Sequence, residues 1–139
     1  MDKSLSADTF QGPPTPFDVT LHFDWKRPPL SMNDNPDRYT KRKLIKEIRL
    51  AGNMAAVGKR IPDLGKCRAT LTWFVVDRIR RDGINTCATF KPLCDGLVDA
   101  GVVLDDAPQY MDTPMPTIVW LDKKAGHVAH MTLRVERIE

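Results

Sequence analysis

Twelve residues, KRPPLSMNDNPD from Lys26 to Asp37, divide this chain more firmly than any other stretch. Their three prolines remove backbone donors and push preceding residues toward extended geometry, so neither a central strand nor a helix can run through. A loop is expected there, and regular structure must come from the segments on either side. Before it, FDVTLHFD (17–24) alternates Phe17, Val19, Leu21 and Phe23 with polar residues, the pattern of a half-buried strand. After it, from about Asp37, Leu44, Ile45, Ile48, Ala51 and Ala55 fall on one stripe of a helix.

Further along, Leu71, Trp73 and Val75 alternate in a second strand that ends at DRIRRD. Phe90, Leu93, Cys94, Leu97 and Val98 then recur at helical spacing, with Gly101 as a fitting stop. Pro92 is tolerated in a first turn, where its missing N–H costs nothing, so this helix is expected to begin near Lys91. TIVWLD (117–122) and VAHMTLRVERI (128–138) read as two more strands, and KKAG between them suggests a hairpin. The order strand, helix, strand, helix, strand, strand defines an α/β (α+β) domain with one mixed sheet and two main helices. Residues 17–139 form that single domain, and residues 1–16 read as a flexible tail.

Composition narrows the function classes. No window approaches the roughly 18 apolar residues of a membrane span, and MDKSLSADTFQGPPTP lacks the plan of a signal peptide, so the cytoplasm is expected and a membrane partner is not. The three cysteines, Cys67, Cys87 and Cys94, have no C-x-x-C spacing and read as reduced thiols. His127 and His130, three apart in a strand-like segment, are expected on opposite faces rather than on one metal. The net charge of +3 permits a nucleic-acid partner without demanding one. Its distribution says more: Arg38, Lys41, Arg42, Lys43, Lys46 and Arg49 stand against Glu47 alone, and Arg78, Arg80 and Arg81 form a second cluster. Each suits a phosphate backbone or, equally simply, a solvated surface.

Against that charge, Arg80 to Met111 carries five aspartates. Asp82 ends a strand, and Asp105 and Asp106 follow a helix; strand-end and loop carboxylates hold Mg²⁺, a hard cation that takes oxygen ligands, but they also cap turns. Lys91 could offset the charge that develops during phosphodiester hydrolysis. Asn85 could cap a turn or orient a ligand. Asp95 and Asp99, four apart on one helical face, read as solvated.

These residues resemble the RusA family of Holliday junction resolvases, in its actinobacterial and phage form. RRDGIN (80–85) resembles the family's R-R-D-x-D-N signature, and KPLCDGLVDAGVVLDDAPQY (91–110) its K-x-x-x-D-G-L-x-D-A-G-V-V-x-D-D segment. RPPLSMND before a basic helix is similar to the family's P-P-x-x-N loop, so the likeness spans roughly 17 to 138. It implies a homodimer that cuts four-way junctions or other branched DNA, each two-fold partner bringing one active site to a two-fold substrate. It further implies that Asp82 and Asp106 ligate Mg²⁺, or Mn²⁺ in its place, with Asp105 able to join them. Lys91 takes the place of a catalytic lysine, Arg80 and Arg81 that of DNA contacts, and Asp95 that of a helix aspartate of open role. Lys41, Arg42, Lys43 and Lys46 would extend the DNA surface. Ile84 departs from the pattern: it stands where the family has a second catalytic aspartate and offers no oxygen, so a junction-binding protein with impaired catalysis is the alternative.

Overall fold

The structure, a computed structural model, describes residues 16–139, so nearly all of the expected tail lies outside the described residues. Among the described residues, five strands and two long helices form one α+β domain. In chain order these are β1 (Asp18–Phe23), α1 (Arg38–Gly58), β2 (Cys67–Val75), α2 (Cys87–Asp99), β3 (Met111–Asp112), β4 (Thr117–Trp120) and β5 (His130–Arg137). Short 3₁₀ turns at Gly83–Thr86 and Lys123–Ala125 complete it.

β5 lies between β1 and β2 and is antiparallel to both, while β3 and β4 run parallel to β2 along its other edge. The expected hairpin between β4 and β5 therefore does not form. Both strands pair with β2, which lies between them, because a buried nine-residue strand offers partners on both edges that a local turn cannot match. Register aligns the apolar rows: Leu21 pairs with Leu133, which pairs in turn with Leu71, and all three are buried. Residues one step away, such as Thr20, Thr70 and Arg134, fall on the other face by strand parity.

Ile48, Gly52 and Ala56 of α1 and Leu93, Cys94, Gly96 and Leu97 of α2 are buried. The expected α1 stripe of Leu44, Ile45, Ala51 and Ala55 packs against this core. Two glycines let the helices approach backbone to backbone. A Cβ on Gly52 would lie 2.9 Å from the Leu93 carbonyl oxygen, and one on Gly96 would meet the Arg49 carbonyl oxygen and come within 2.8 Å of the Asn53 nitrogen. Arg49 ties the pair with two bonds to Asp99, at 2.6 and 2.8 Å, so Asp99 bridges the helices rather than standing solvated. Gly96→Ala is accordingly expected to cost about 3 kcal/mol, the upper part of the overpacking range, since backbone cannot rotate away. A fall in Tm of about 10 °C in a thermal melt follows; an unchanged Tm would mean the helices are not in this contact.

α2 begins at Cys87, one turn earlier than expected, and Pro92 lies in its second turn. Gly101 does terminate it, with φ of 80° and its N–H bonded to the Val98 carbonyl. Cys67 and Cys94 are buried, and burial pushes the Cys67 thiol up to about 11 and the Cys94 thiol higher still. His127 precedes β5 instead of lying in it, and lines the same shallow depression as His130, which stacks between His22 and Phe74. Among the described residues no helix is long and apolar enough to cross a membrane.

Candidate nucleic-acid and metal site

The proline loop is pinned, and its anchors shape the site. The Thr89 hydroxyl donates to the Leu30 carbonyl at 2.7 Å and accepts from the Leu30 N–H at 3.2 Å; both ends of this exchange are buried. Met32 N–H donates to the Asn85 carbonyl at 3.0 Å, and the Trp73 indole N–H to the Lys26 carbonyl at 3.0 Å. Four backbone or side-chain bonds thus clamp a segment with no regular structure against β2 and the start of α2.

Between loop and sheet lies a pocket of about 320 Å³. Arg27, Ser31 and Asn33 enter from the loop, Trp73 from β2, and Arg80, Arg81, Asp82 and Asn85 from the segment that follows. Arg81 is fixed: it bonds Asp77 at 2.6 Å and the Ile79 carbonyl at 3.0 Å, and its guanidinium lies 4.8 Å from the Trp73 ring centre. The Arg81 guanidinium holds the Asp77 carboxyl below its ordinary value. Arg27 is braced by Asp34 at 3.2 Å. The Asp82 carboxylate makes no hydrogen bond or ion pair with any described residue, although three arginines line the same pocket. Gly83 keeps this turn close to the sheet, since a Cβ there would lie 2.5 Å from the Pro116 carbonyl oxygen.

The remaining expected acids gather elsewhere. Lys91 binds both Asp106 and Asp95, the latter at 2.7 Å, and the Asp106 N–H donates to the Asp105 carboxylate at 2.8 Å. Asp95 is therefore part of this cluster rather than solvated. Among the described residues no hydrogen bond or ion pair joins Asp82 to this cluster, which stands on α2, the helix that follows the turn after Asp82. Among the described residues no three acidic, imidazole or thiol side chains converge on a metal position. The donor set is nonetheless of the right chemistry for Mg²⁺: hard carboxylate oxygens, two on Asp82 and two on Asp106, with Asp105 and Asn85 nearby in sequence. Lys91 holds the position at Asp106 that a cation would take. Ile84 is second in the 3₁₀ turn, 51% exposed, and supplies no donor.

Hydrogen bonding and charge from Lys91 hold the Asp106 carboxyl below its ordinary value, and the same contacts raise Lys91. A lowered carboxyl pKa adds stability above the unfolded carboxylate range, and that stability is lost as pH falls through the lowered value. Replacing Lys91 with Met is expected to move the Asp106 titration upward when followed by carboxyl NMR. An unmoved titration would mean that the contact does not persist in solution.

On α1, Lys41, Arg42, Lys43 and Lys46 are all exposed, and Tyr39, Arg42, Lys43 and Lys46 line one shallow groove. Asp37 caps the helix, accepting from Thr40 N–H at 2.9 Å. Arg38 and Lys41 follow Asp37 in the first turns, and Lys59 caps the other end of the helix.

Sequence reasoning missed Arg27 and Trp73 as site residues, and the Asp34 and Asp77 struts. Arg27 directly precedes the proline pair, which was a usable signal; Trp73 lay hidden in a core-like alternation. Neither a protein-family model nor a curated protein matches the chain.

Proposed function

We propose that this protein is a divalent-ion-dependent endonuclease for branched DNA of the RusA kind, acting as a homodimer. The observation that carries the reading is the Asp82 carboxylate, bonded to none of the described residues in a pocket lined by Arg27, Arg80 and Arg81. An acid surrounded by cations that it does not bond is available to a ligand. The exposed cations of α1, Lys41, Arg42, Lys43 and Lys46, support the same partner, since such a cluster suits a phosphate backbone.

In this reading Arg80, Arg81 and the α1 cations seat the DNA backbone. Asp82 and Asp106 would hold Mg²⁺ or Mn²⁺, with Asp105 and Asn85 as further oxygen donors, the ion taking the place at Asp106 that Lys91 occupies. When bound, the ion polarises the scissile phosphate and lowers the pKa of an attacking water. Lys91, freed beside Asp106, offsets charge that builds on the phosphate. Asp95 keeps that ammonium in place.

A second reading is a junction-binding protein without cleavage, and Ile84 favours it, since its exposed apolar side chain stands where the family motif has an acid. Labelled four-way junction with Mg²⁺ or Mn²⁺ separates the two: paired cuts support the endonuclease, binding without cuts the alternative. Either way, log K should fall linearly with log salt by about 0.9 per phosphate contact, and Lys43→Ala or Lys46→Ala should each reduce that slope by about one contact. Slopes unchanged in both variants, measured by anisotropy, would remove α1 from the interface.

A further inference from the structure

The pocket beside Asp82 is concave, whereas the backbone of a duplex is convex and its bases are stacked out of reach. We infer that this pocket takes a single unstacked nucleotide of the DNA strand, an inference that rests on reading the site as DNA-binding. Its volume of about 320 Å³ falls at the lower end of the roughly 300–1,000 Å³ typical of ligand sites.

Three kinds of wall match three features of a nucleotide: its phosphate, the face of its base and the hydrogen-bonding edge of its base. Arg80, which has no ion-pair partner among the described residues, is the uncommitted cation for a phosphate. Arg81 supplies a flat guanidinium, held at its edge by Asp77 and Ile79 and backed by the Trp73 ring, and bases stack on such planes. Asn33 and Asn85 carry amides, which both donate and accept, as the hydrogen-bonding edge of a base requires. The walls are joined by the Met32 to Asn85 bond and by the Trp73 to Lys26 bond, both 3.0 Å, so the pocket exists before a ligand arrives. A branch point is where such a nucleotide costs least to extract, because its stacking is already interrupted.

The test uses a six-nucleotide single strand with a central 2-aminopurine, titrated with the full chain at low salt in EDTA, so that cleavage plays no part. Saturable binding with a change in 2-aminopurine fluorescence is expected. Asn33→Ala and Arg81→Ala should each weaken it about tenfold, the scale of one stacking or base-edge contact, while Lys123→Ala, an exposed charge that does not line the pocket, should not. Because Arg81→Ala also releases Asp77, the neutral Asn33→Ala change, on a surface loop, keeps the test decisive. No binding, or binding that neither variant weakens, overturns the pocket. Four-way-junction binding, measured separately by anisotropy, decides the wider reading: a junction bound tightly while the short strand is ignored leaves the nuclease standing without this pocket.

Discussion

Ile84→Asp is expected to raise the rate of four-way-junction cleavage about a hundredfold, the equivalent of about 2.7 kcal/mol of transition-state stabilisation. The position is two residues after Asp82, in the 3₁₀ turn that Asp82 precedes, and its side chain is 51% exposed, so a carboxylate placed there remains solvated until an ion arrives. Because no core contact is lost, stability should change by no more than about 0.5 kcal/mol. Single-turnover cleavage of a labelled junction in Mg²⁺ reads the rate, and a thermal melt reads the stability. Equal rates in both proteins would show that this position has no part in catalysis, and would remove the main support for the non-cleaving alternative.

Asp82→Asn is expected to lower cleavage by about a thousandfold or more, with junction affinity in EDTA retained or slightly improved. The amide keeps the shape of the side chain and removes the charge that holds a divalent ion. It also removes a negative charge from beside the phosphates, which is why affinity should not fall. The opposite pattern, lost binding with undiminished turnover of the bound fraction, would make Asp82 a positioning residue for the arginines instead. Since its carboxylate bonds none of them, that pattern is not expected.

The strands were legible because period-two alternation survives in sequence: Val19, Leu21 and Phe23 of β1 and Met131, Leu133 and Val135 of β5 sit on the side that it indicated. Pairing was less legible. KKAG looked like the tip of a hairpin, but partner choice was decided by β2, which lies more than forty residues upstream of β4 in sequence and pairs with both strands. The start of α2 was obscured because Thr86 makes no capping hydrogen bond and Pro92 marked a false boundary. At the site, Asp82, Arg80 and Arg81 were readable as a contiguous motif. The attachment of Asp106 to Lys91 was not, because it depends on a loop folding back along α2. The struts from Asp77 to Arg81 and from Asp34 to Arg27 look in sequence like ordinary loop acids, and only geometry shows what they hold.

The proposed function requires that Asp82 and Asp106 share one cation when DNA is bound. Mn²⁺ titration followed by electron paramagnetic resonance, with a junction whose scissile linkages resist cleavage, tests it directly. A Mn²⁺ ion bound by wild type in the presence of junction, and lost from both Asp82→Asn and Asp106→Asn, is the predicted result. Mn²⁺ bound equally by wild type and both variants, or by none of them, would contradict it.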